Sequence, residues 1–508
     1  MKILTAAEMR EVDRQTVEAG IPGIVLMENA GHRVVEFLAE RFAPLGDQRI
    51  VVLCGKGNNG GDGLVVARQL LTRFQPASLH VVLLAEPGEL KGDAAANYAM
   101  LLAAGGQVES EIPVAARAAT VVVDALLGTG VSGPAAGRML DGIREINQGF
   151  PLAAVVAVDI PSGMPSDSGE PAGEFAWADH TVTFTAPKVA LVMPPNCDYI
   201  GELRVGAIGS PPELYAGAWL ELLEPAMFRE LLAPRDPAGH KGDYGHVLVV
   251  AGSRGKTGAA AMAGLGALRS GAGLVTVASA ESAIAEIAAH APELMTDPLP
   301  ETESGSIALN ATLQALARGK SVVAMGPGLG RAPQIAAMVH AMAEAFEGPM
   351  VLDADALVGQ ISGALSRPRI LTPHPGEMAR LTGKTTAEIQ ADRLGAARTY
   401  ATGQGVTLVL KGQRTVIAFP DGRVWINPTG TPAMGKGGSG DILTGMIAGM
   451  VAQFPQQADQ AVAAAVYLHG LAGQLGAQTL GEKCLLATDL LQYLPDAMED
   501  CADLPHRE

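Results

Sequence analysis

Short apolar runs that stop at a glycine loop or an aspartate and hand over to a helical pattern recur along the whole of this 508-residue chain. Arg49 to Cys54 leads into G-K-G-N-N-G-G-D-G and the helical run Leu64 to Phe74. Thr120 to Val123 runs into Asp124, Ala153 to Val158 into Asp159, and His246 to Ala251 into G-S-R-G-K-T-G. Ser321 to Met325, Met350 to Leu352, Ile370 to Leu371 and Thr407 to Leu410 repeat the pattern. Strands and helices that alternate in this way call for parallel sheets covered on both faces, with ligands at the carboxyl ends of the strands. The expected fold class is α/β throughout, beginning with a Rossmann-like doubly wound domain.

A chain of 508 residues exceeds one ordinary core, and two large domains fit it best. Proline-rich breaks at S-P-P-E-L and A-P-R-D-P flank a short helical patch near Glu224 to Leu232, so the boundary falls between about Gly209 and Glu224. The expected domains are residues 1–213 and 222–508. A formal net charge of −17 with no Lys/Arg-rich run argues against nucleic-acid or membrane-surface binding. Cys54, Cys197, Cys484 and Cys501 lack metal-ligand spacing and read as free thiols in a reducing compartment. The amino terminus becomes charged before an apolar signal core could form, and Thr5 with Glu8 suggests a helix capping box. Ala461 to Gly481 is too interrupted for a membrane span, and a cytoplasmic protein is expected.

Gly55, Gly57 and Gly60 match a weak dinucleotide fingerprint, with Glu86 after the next apparent strand, Leu79 to Ala85; a plain tight turn is the alternative. Asn58, Asn59 and Asp62 add hydrogen-bonding groups that a turn alone does not need. In a doubly wound sheet Asn59, Asp124, Asp159 and Ser162 could meet around one ligand, although each aspartate alone would suit a cap or turn. Asn59, Asp124 and Ser162 form a hard-oxygen set suited to an alkali or alkaline-earth cation, and one carboxylate among neutral oxygens favours a monovalent ion. Asp159 then stays free for proton transfer.

G-N-N-G-G-D-G, V-V-D-A-L-L-G-T-G, V-D-I-P-S-G and F-T-A-P-K together resemble the NAD(P)H-hydrate epimerase family over nearly all of residues 1–210. The resemblance implies interconversion of the R and S forms of hydrated nicotinamide dinucleotides, with potassium at Asn59, Asp124 and Ser162. It implies substrate contacts at Asn58, Asn59, Gly60, Gly61, Asp62, Gly128, Thr129, Gly130, Val131, Ser132, Gly133 and Pro134, and Asp159 as both contact and acid/base residue. Lys188 of F-T-A-P-K is expected nearby without an assigned role.

In the second half, the run Trp425 to Met446 contains Gly435, Gly437, Gly438 and Gly440 ahead of a helical pattern from Ile442. A helix start that presents free N–H donors binds anions. Asp441 stands there as a helix cap or as a general base beside a bound phosphate. The loop after His246 to Ala251 lacks the first glycine of a Walker A motif, having Val250 instead, and reads as another close-approach loop at Gly258 and Ala259. His374, set between prolines, could orient a ligand or be an exposed loop histidine. Asp353 and Asp355 read as caps of the next helix, ahead of a part in arranging a metal-bound nucleotide.

G-P-G-L-G, D-A-D-A-L, T-P-H-P-G-E-M, K-G-Q-R-T and G-K-G-G-S-G-D together resemble the ADP-dependent NAD(P)H-hydrate dehydratase family over about residues 222–500, which implies a ribokinase-like α/β domain. The resemblance implies hydrate contacts at Ala259, Gly328, His374 and Asp441, and adenine-nucleotide contacts at Lys411, Gly412, Gln413, Arg414, Thr415 and Gly440. Asp441 is the implied catalytic base, and magnesium is expected with ADP. Partners are then NAD(P)H hydrates and ADP, in an expected homo-oligomer. A ribokinase-like small-molecule kinase and a non-catalytic nucleotide-binding scaffold remain the alternatives. The kinase would leave a phosphorylated product that persists, and the scaffold would tolerate loss of Asp159 and Asp441.

Overall fold

The computed structural model describes residues 1–130, 133–309, 312–364 and 367–502, and the chain divides into two compact units, Met1–Leu220 and Glu221–Glu508. The first unit is built on six strands: β1 (Arg49–Cys54), β2 (Ser78–Leu83), β3 (Val121–Ala125), β4 (Ala154–Val158), β5 (His180–Phe184) and β6 (Glu202–Gly206). Their order is β2-β1-β3-β4-β5-β6, and every adjacent pair is parallel. Alternate side chains of β1 feed separate cores, Ile50, Val52 and Cys54 on one face of the sheet and Val51 and Leu53 on the other. That explains why these strands read as unbroken apolar runs: both faces are covered by helices. The strand order reverses between β1 and β3, where a doubly wound sheet opens a crevice at its carboxyl edge.

The expected helix from Leu64 starts earlier, and Asn58–Gln69 is one continuous helix that ends in a single π turn, Leu70–Phe74. Most of G-N-N-G-G-D-G is therefore the first turns of a helix, not a loop before it. Its glycines serve close packing: a Cβ on Gly60 would stand 1.8 Å from the Gly55 carbonyl oxygen, and one on Gly63 2.6 Å from the Ala125 Cβ. Poor glycine helix propensity hid the segment, and tertiary contacts override it.

The second sheet contains β7 (Leu220–Leu222), β8 (His246–Val250), β9 (Leu274–Ala280), β10 (Met295–Leu299) and β11 (Val322–Met325). It is completed by β12 (Met350–Leu352), β13 (Arg369–Leu371), β14 (Thr407–Leu410), β15 (Val416–Ala418) and β16 (Val424–Ile426). The order is β10-β9-β8-β11-β12-β13-β14-β15-β16-β7. It is parallel from β10 to β14 and turns antiparallel at β15 and β16. The patch near Glu224 to Leu232 forms two 3-10 turns, Pro225–Met227 and Arg229–Leu232. The helix anticipated from Ile442 begins at Ser439 and runs to Gln453, against the helix Thr257–Arg269. Small residues let these backbones touch, since a Cβ on Gly445 would fall 2.0 Å from the Ala263 carbonyl oxygen. Among the described residues no helix is long and apolar enough to cross a membrane.

Candidate active sites

A cavity of about 1060 Å³ opens in the first unit and is lined by Asn58, Asn59 and Asp62 from the helix start after β1 and by Gly128, Thr129 and Gly130 from the loop after β3. Asp159 and Lys188 complete that wall. The helix Ala6–Glu18 also lines the cavity, through Met9, Arg10, Asp13, Arg14 and Val17. That helix carried only a capping signal in the sequence, and its Thr5–Glu8 capping box is formed. The one hint of more was an aspartate on its half-buried face.

Asp159 follows β4 with φ +67°, a left-handed backbone that a non-glycine residue adopts only where surrounding contacts impose it. Here the constraint is Lys188, 1% exposed, whose Nζ donates to Asp159 Oδ1 at 2.5 Å, Thr183 Oγ1 at 2.9 Å and the Phe184 carbonyl at 3.2 Å. Thr183 Oγ1 also donates to Asp159 Oδ1 at 3.1 Å. The buried lysine thus compensates a carboxylate that would otherwise face the cavity alone. Two further carboxyls share this field. Burial, with Asp159 and Asp13 adding, raises Asp62 well above the usual carboxylate range, and burial pushes Asp13 up to about 6 against the lowering pull of Lys188.

Asp124 and Ser162 lie behind the wall, both fully buried. Asp124 Oδ2 accepts from the Ser162 backbone N–H at 2.8 Å, and Ser162 Oγ donates to Asp124 Oδ1 at 2.5 Å. Ser162 Oγ accepts from the Leu127 N–H at 2.8 Å, while Asn59 Nδ2 donates to the Leu127 carbonyl at 3.1 Å. Asn59 Oδ1 is buried without a hydrogen-bond partner. An orphaned amide oxygen beside a carboxylate, a hydroxyl and a carbonyl is a donor set that fits a monovalent cation.

Not every expected contact reaches the cavity. Gly60 and Gly61 pack against Gly55 and Met27, and Pro134 packs at Gly173. With Gly133 they are absent from the lining, while Val131 and Ser132 lie outside the described residues.

In the second unit the helix Ser439–Gln453 starts at Gly438, φ +100°, which makes no side-chain cap, and Asp441 stands in its first turn rather than capping it. Burial pushes Asp441 up to about 7; Asp353, Asp355 and Glu377 add to the rise, and Lys411 opposes it. Lys411 Nζ pairs with Asp353 Oδ1 at 2.6 Å, and Thr444 Oγ1 donates to Asp353 Oδ2 at 2.8 Å. A Cβ on Gly440 would lie 3.3 Å from Lys411 Nζ, so the glycine admits the lysine to the helix start. The cap expected of Asp353 is thereby overturned: it begins the 3-10 turn Ala354–Ala356 without capping it, because its carboxylate serves Lys411 and Thr444. Asp355 is no cap either, since its oxygens accept from the Gly330 N–H at 2.8 Å and Arg331 Nε at 3.3 Å and so hold G-P-G-L-G.

His374 caps the helix Pro375–Thr382, its Nδ1 accepting from the Gly376 and Glu377 N–H groups at 3.0 and 3.4 Å. Gly328, at φ +67°, comes against Ala259, whose Cβ is 3.1 Å from where a Gly328 Cβ would stand. Buried Arg393, which no motif flagged, donates to the Gln413 carbonyl at 2.5 Å and the Leu410 carbonyl at 3.3 Å, shaping the 411–415 loop. Gly412 and Arg414 in that loop both have positive φ, and Thr415 Oγ1 donates to the Gly412 carbonyl at 3.0 Å. Burial holds His469 down at about 4, so its neutral Nε2 donates to the Ser439 carbonyl at 2.9 Å beneath the glycine loop. Among the described residues no three His, Cys, Asp or Glu side chains form a metal cluster.

Residues 247–496 match the family described as NAD(P)H-hydrate dehydratase, and residues 23–190 the family described as YjeF-related protein N-terminus. The bifunctional NAD(P)H-hydrate repair enzyme of Moorella thermoacetica is 45% identical, with 97% of this chain and 96% of the relative aligned. The namesake of Escherichia coli is 35% identical over 96% of this chain and 92% of its own length. The crystal structure of the ADP/ATP-dependent NAD(P)H-hydrate dehydratase of Bacillus subtilis, co-crystallised with ATP/Mg2+, covers 55% of this chain and 98% of its own at TM-score 0.50 and 37% identity. A ribokinase-like superfamily protein of Enterococcus faecalis covers 56% of this chain and 97% of its own at TM-score 0.50 and 28% identity.

Proposed function

The chain belongs to the bifunctional NAD(P)H-hydrate repair enzymes, and from that premise we propose that each unit performs one step of the repair at the residues described above. The first unit epimerises R and S hydrates in the cavity lined by Asp159, and the second dehydrates the S hydrate while ADP becomes AMP and phosphate. The observation that carries the reading is Asp441, a carboxyl raised to about 7 and set in the first turn of a glycine-started helix within the field of Lys411.

Hydration leaves a hydroxyl on the ring carbon next to nitrogen, and hydroxide is a poor leaving group. Asp441 takes the hydroxyl proton as its oxygen attacks the terminal phosphorus of ADP, and AMP departs. The N–H groups of the glycine loop, with Lys411, hold the charge on the transferred phosphoryl. Phosphate then leaves with the ring-nitrogen lone pair behind it, and loss of a proton from the adjacent ring carbon restores the double bond. Magnesium carried by the nucleotide would supply charge neutralisation at its phosphates, beside Asp441 and the carboxylates of Asp353, Asp355 and Glu377 that act on it. In the first unit potassium would be held by Asn59, Asp124 and Ser162, where it supplies positive charge without a rigid geometry; the orphaned Asn59 Oδ1 supports that assignment. A cytoplasmic location fits the free cysteines, and homo-oligomerisation is to be measured by sedimentation.

The testing experiment incubates the protein with S hydrate and ADP and resolves the products. Reduced dinucleotide, AMP and phosphate in equal amounts support the reading, while a phosphorylated dinucleotide that persists makes the second unit a kinase.

A further inference from the structure

The cavity of the first unit holds more proton-carrying groups than the Asp159 assignment uses. Asp13, Asp62, Asp159 and Lys188 all line it, and they act on one another electrostatically. Lys188 has its three N–H donors committed to Asp159, Thr183 and Phe184 and is almost wholly buried, so it compensates charge and has no proton free for a ligand. Asp159 accepts from both Lys188 and Thr183, so its Oδ1 is already partnered. Asp13 Oδ1, by contrast, is a buried oxygen of a cavity-lining residue and has no hydrogen-bond partner. Asn59 Oδ1, the other unpartnered oxygen among the lining residues, is the one assigned to the cation, which leaves Asp13 Oδ1 for the substrate. An unpaired buried oxygen costs free energy unless a ligand or a proton answers it.

The chemistry needs two groups. Inverting a carbon that carries a hydroxyl and a ring nitrogen proceeds by ring opening, as in the mutarotation of a hemiacetal. The O–H bond breaks and its proton goes to a base, C=O forms, the C–N bond breaks, and the nitrogen takes a proton from an acid. The carbonyl carbon turns its other face, the nitrogen re-adds, its proton returns to the first acid, and the first base returns its proton to oxygen. Every proton is restored, but one carboxylate cannot act as acid and base in the same step.

We infer that Asp13, on the helix Ala6–Glu18, is the proton donor that works opposite Asp159 in epimerisation. The inference rests on the reading of this cavity as the epimerase site. Asp13 suits the task because its unpartnered Oδ1 lines the cavity and burial brings its carboxyl to about 6, near the pH at which it must both give and regain a proton; Asp62, which burial also raises, has no such orphaned oxygen. Asp13 is also half-buried, whereas Asp62 is 9% exposed.

The test uses the full chain with mixed hydrate epimers and excess ADP, so that the second unit reports both phases: rapid dehydration of the S fraction, then recovery limited by conversion of R. In Asp13→Asn the first phase is unchanged, and the second falls at least about 100-fold in kcat, or to the spontaneous rate, with KM within a few-fold and an unchanged melting temperature. Asp13→Glu recovers part of the rate. Parent turnover in Asp13→Asn with Asp159→Asn inactive overturns the inference and leaves the site reading standing. Loss confined to KM, or a larger loss in Asp62→Asn while Asp13→Asn turns over normally, also overturns it. Parent turnover in Asp159→Asn overturns the site reading itself.

Discussion

In the proposed dehydration Asp441 is the base, and burial and three neighbouring carboxyls outweigh Lys411 and bring it to about 7. Asp441→Asn keeps the shape and cannot accept the hydroxyl proton, so dehydration falls about 10²–10⁴-fold while nucleotide affinity, read by calorimetry, stays near the parent value. A base must be ionised, so the parent dehydration rate climbs as pH rises through about 7. Stability runs the other way. Its folded value lies above its ordinary 3.8, so the contribution of Asp441 is full below 3.8 and is lost as pH rises through about 7. In the first unit Lys188→Met leaves Asp159 buried without its cation, and chemical denaturation should show a loss of about 3–5 kcal/mol in that unit together with loss of epimerisation. The positions of Asp159 at a strand end and Asp441 at a glycine-started helix were legible from sequence. Asp13 and Arg393 were not, since both sit on helices with no motif and acquire meaning only from what the fold sets beside them.

At the scale of elements the strands were the clearest reading, because two-sided burial writes them as apolar runs with sharp ends; β1, β12 and β14 match the expected limits. Glycine-rich helix starts were the least clear. Asn58–Gln69 and Ser439–Gln453 both begin inside the segments read as loops, because their glycines are selected for close approach and not for helix propensity. The same device ties the Asp441 helix to its neighbour, where Gly445 leaves 2.0 Å between a hypothetical Cβ and the Ala263 carbonyl oxygen. Gly445→Ala must push the two helices apart, and the second unit should lose about 1–3 kcal/mol in denaturation while epimerisation persists. An unchanged midpoint would mean that the helices are not locked together by that contact.

Across the whole molecule, the α/β class could be read from the order of strand ends, while the ribokinase-like character of the second unit came from the motifs that carry its resemblance. The antiparallel β15 and β16 and the cavity wall from the helix Ala6–Glu18 required the structure. With one proposed site in each unit, a cation bound at the first would act on epimerisation alone. Replacing potassium by lithium at constant ionic strength should slow epimerisation and leave the ADP-dependent step near its original rate, as read from S hydrate alone. Equal epimerisation in both salts removes the ion from Asn59, Asp124 and Ser162. The central claim, one repair step per unit in sequence, is tested most directly by following reduced-nicotinamide absorbance from mixed epimers with excess ADP in the parent and in Asp159→Asn. The parent should recover the full absorbance, and the variant should stop at the level set by the S fraction apart from slow spontaneous epimerisation. Full recovery by the variant at the parent rate, or no ADP-dependent recovery by the parent, would contradict it.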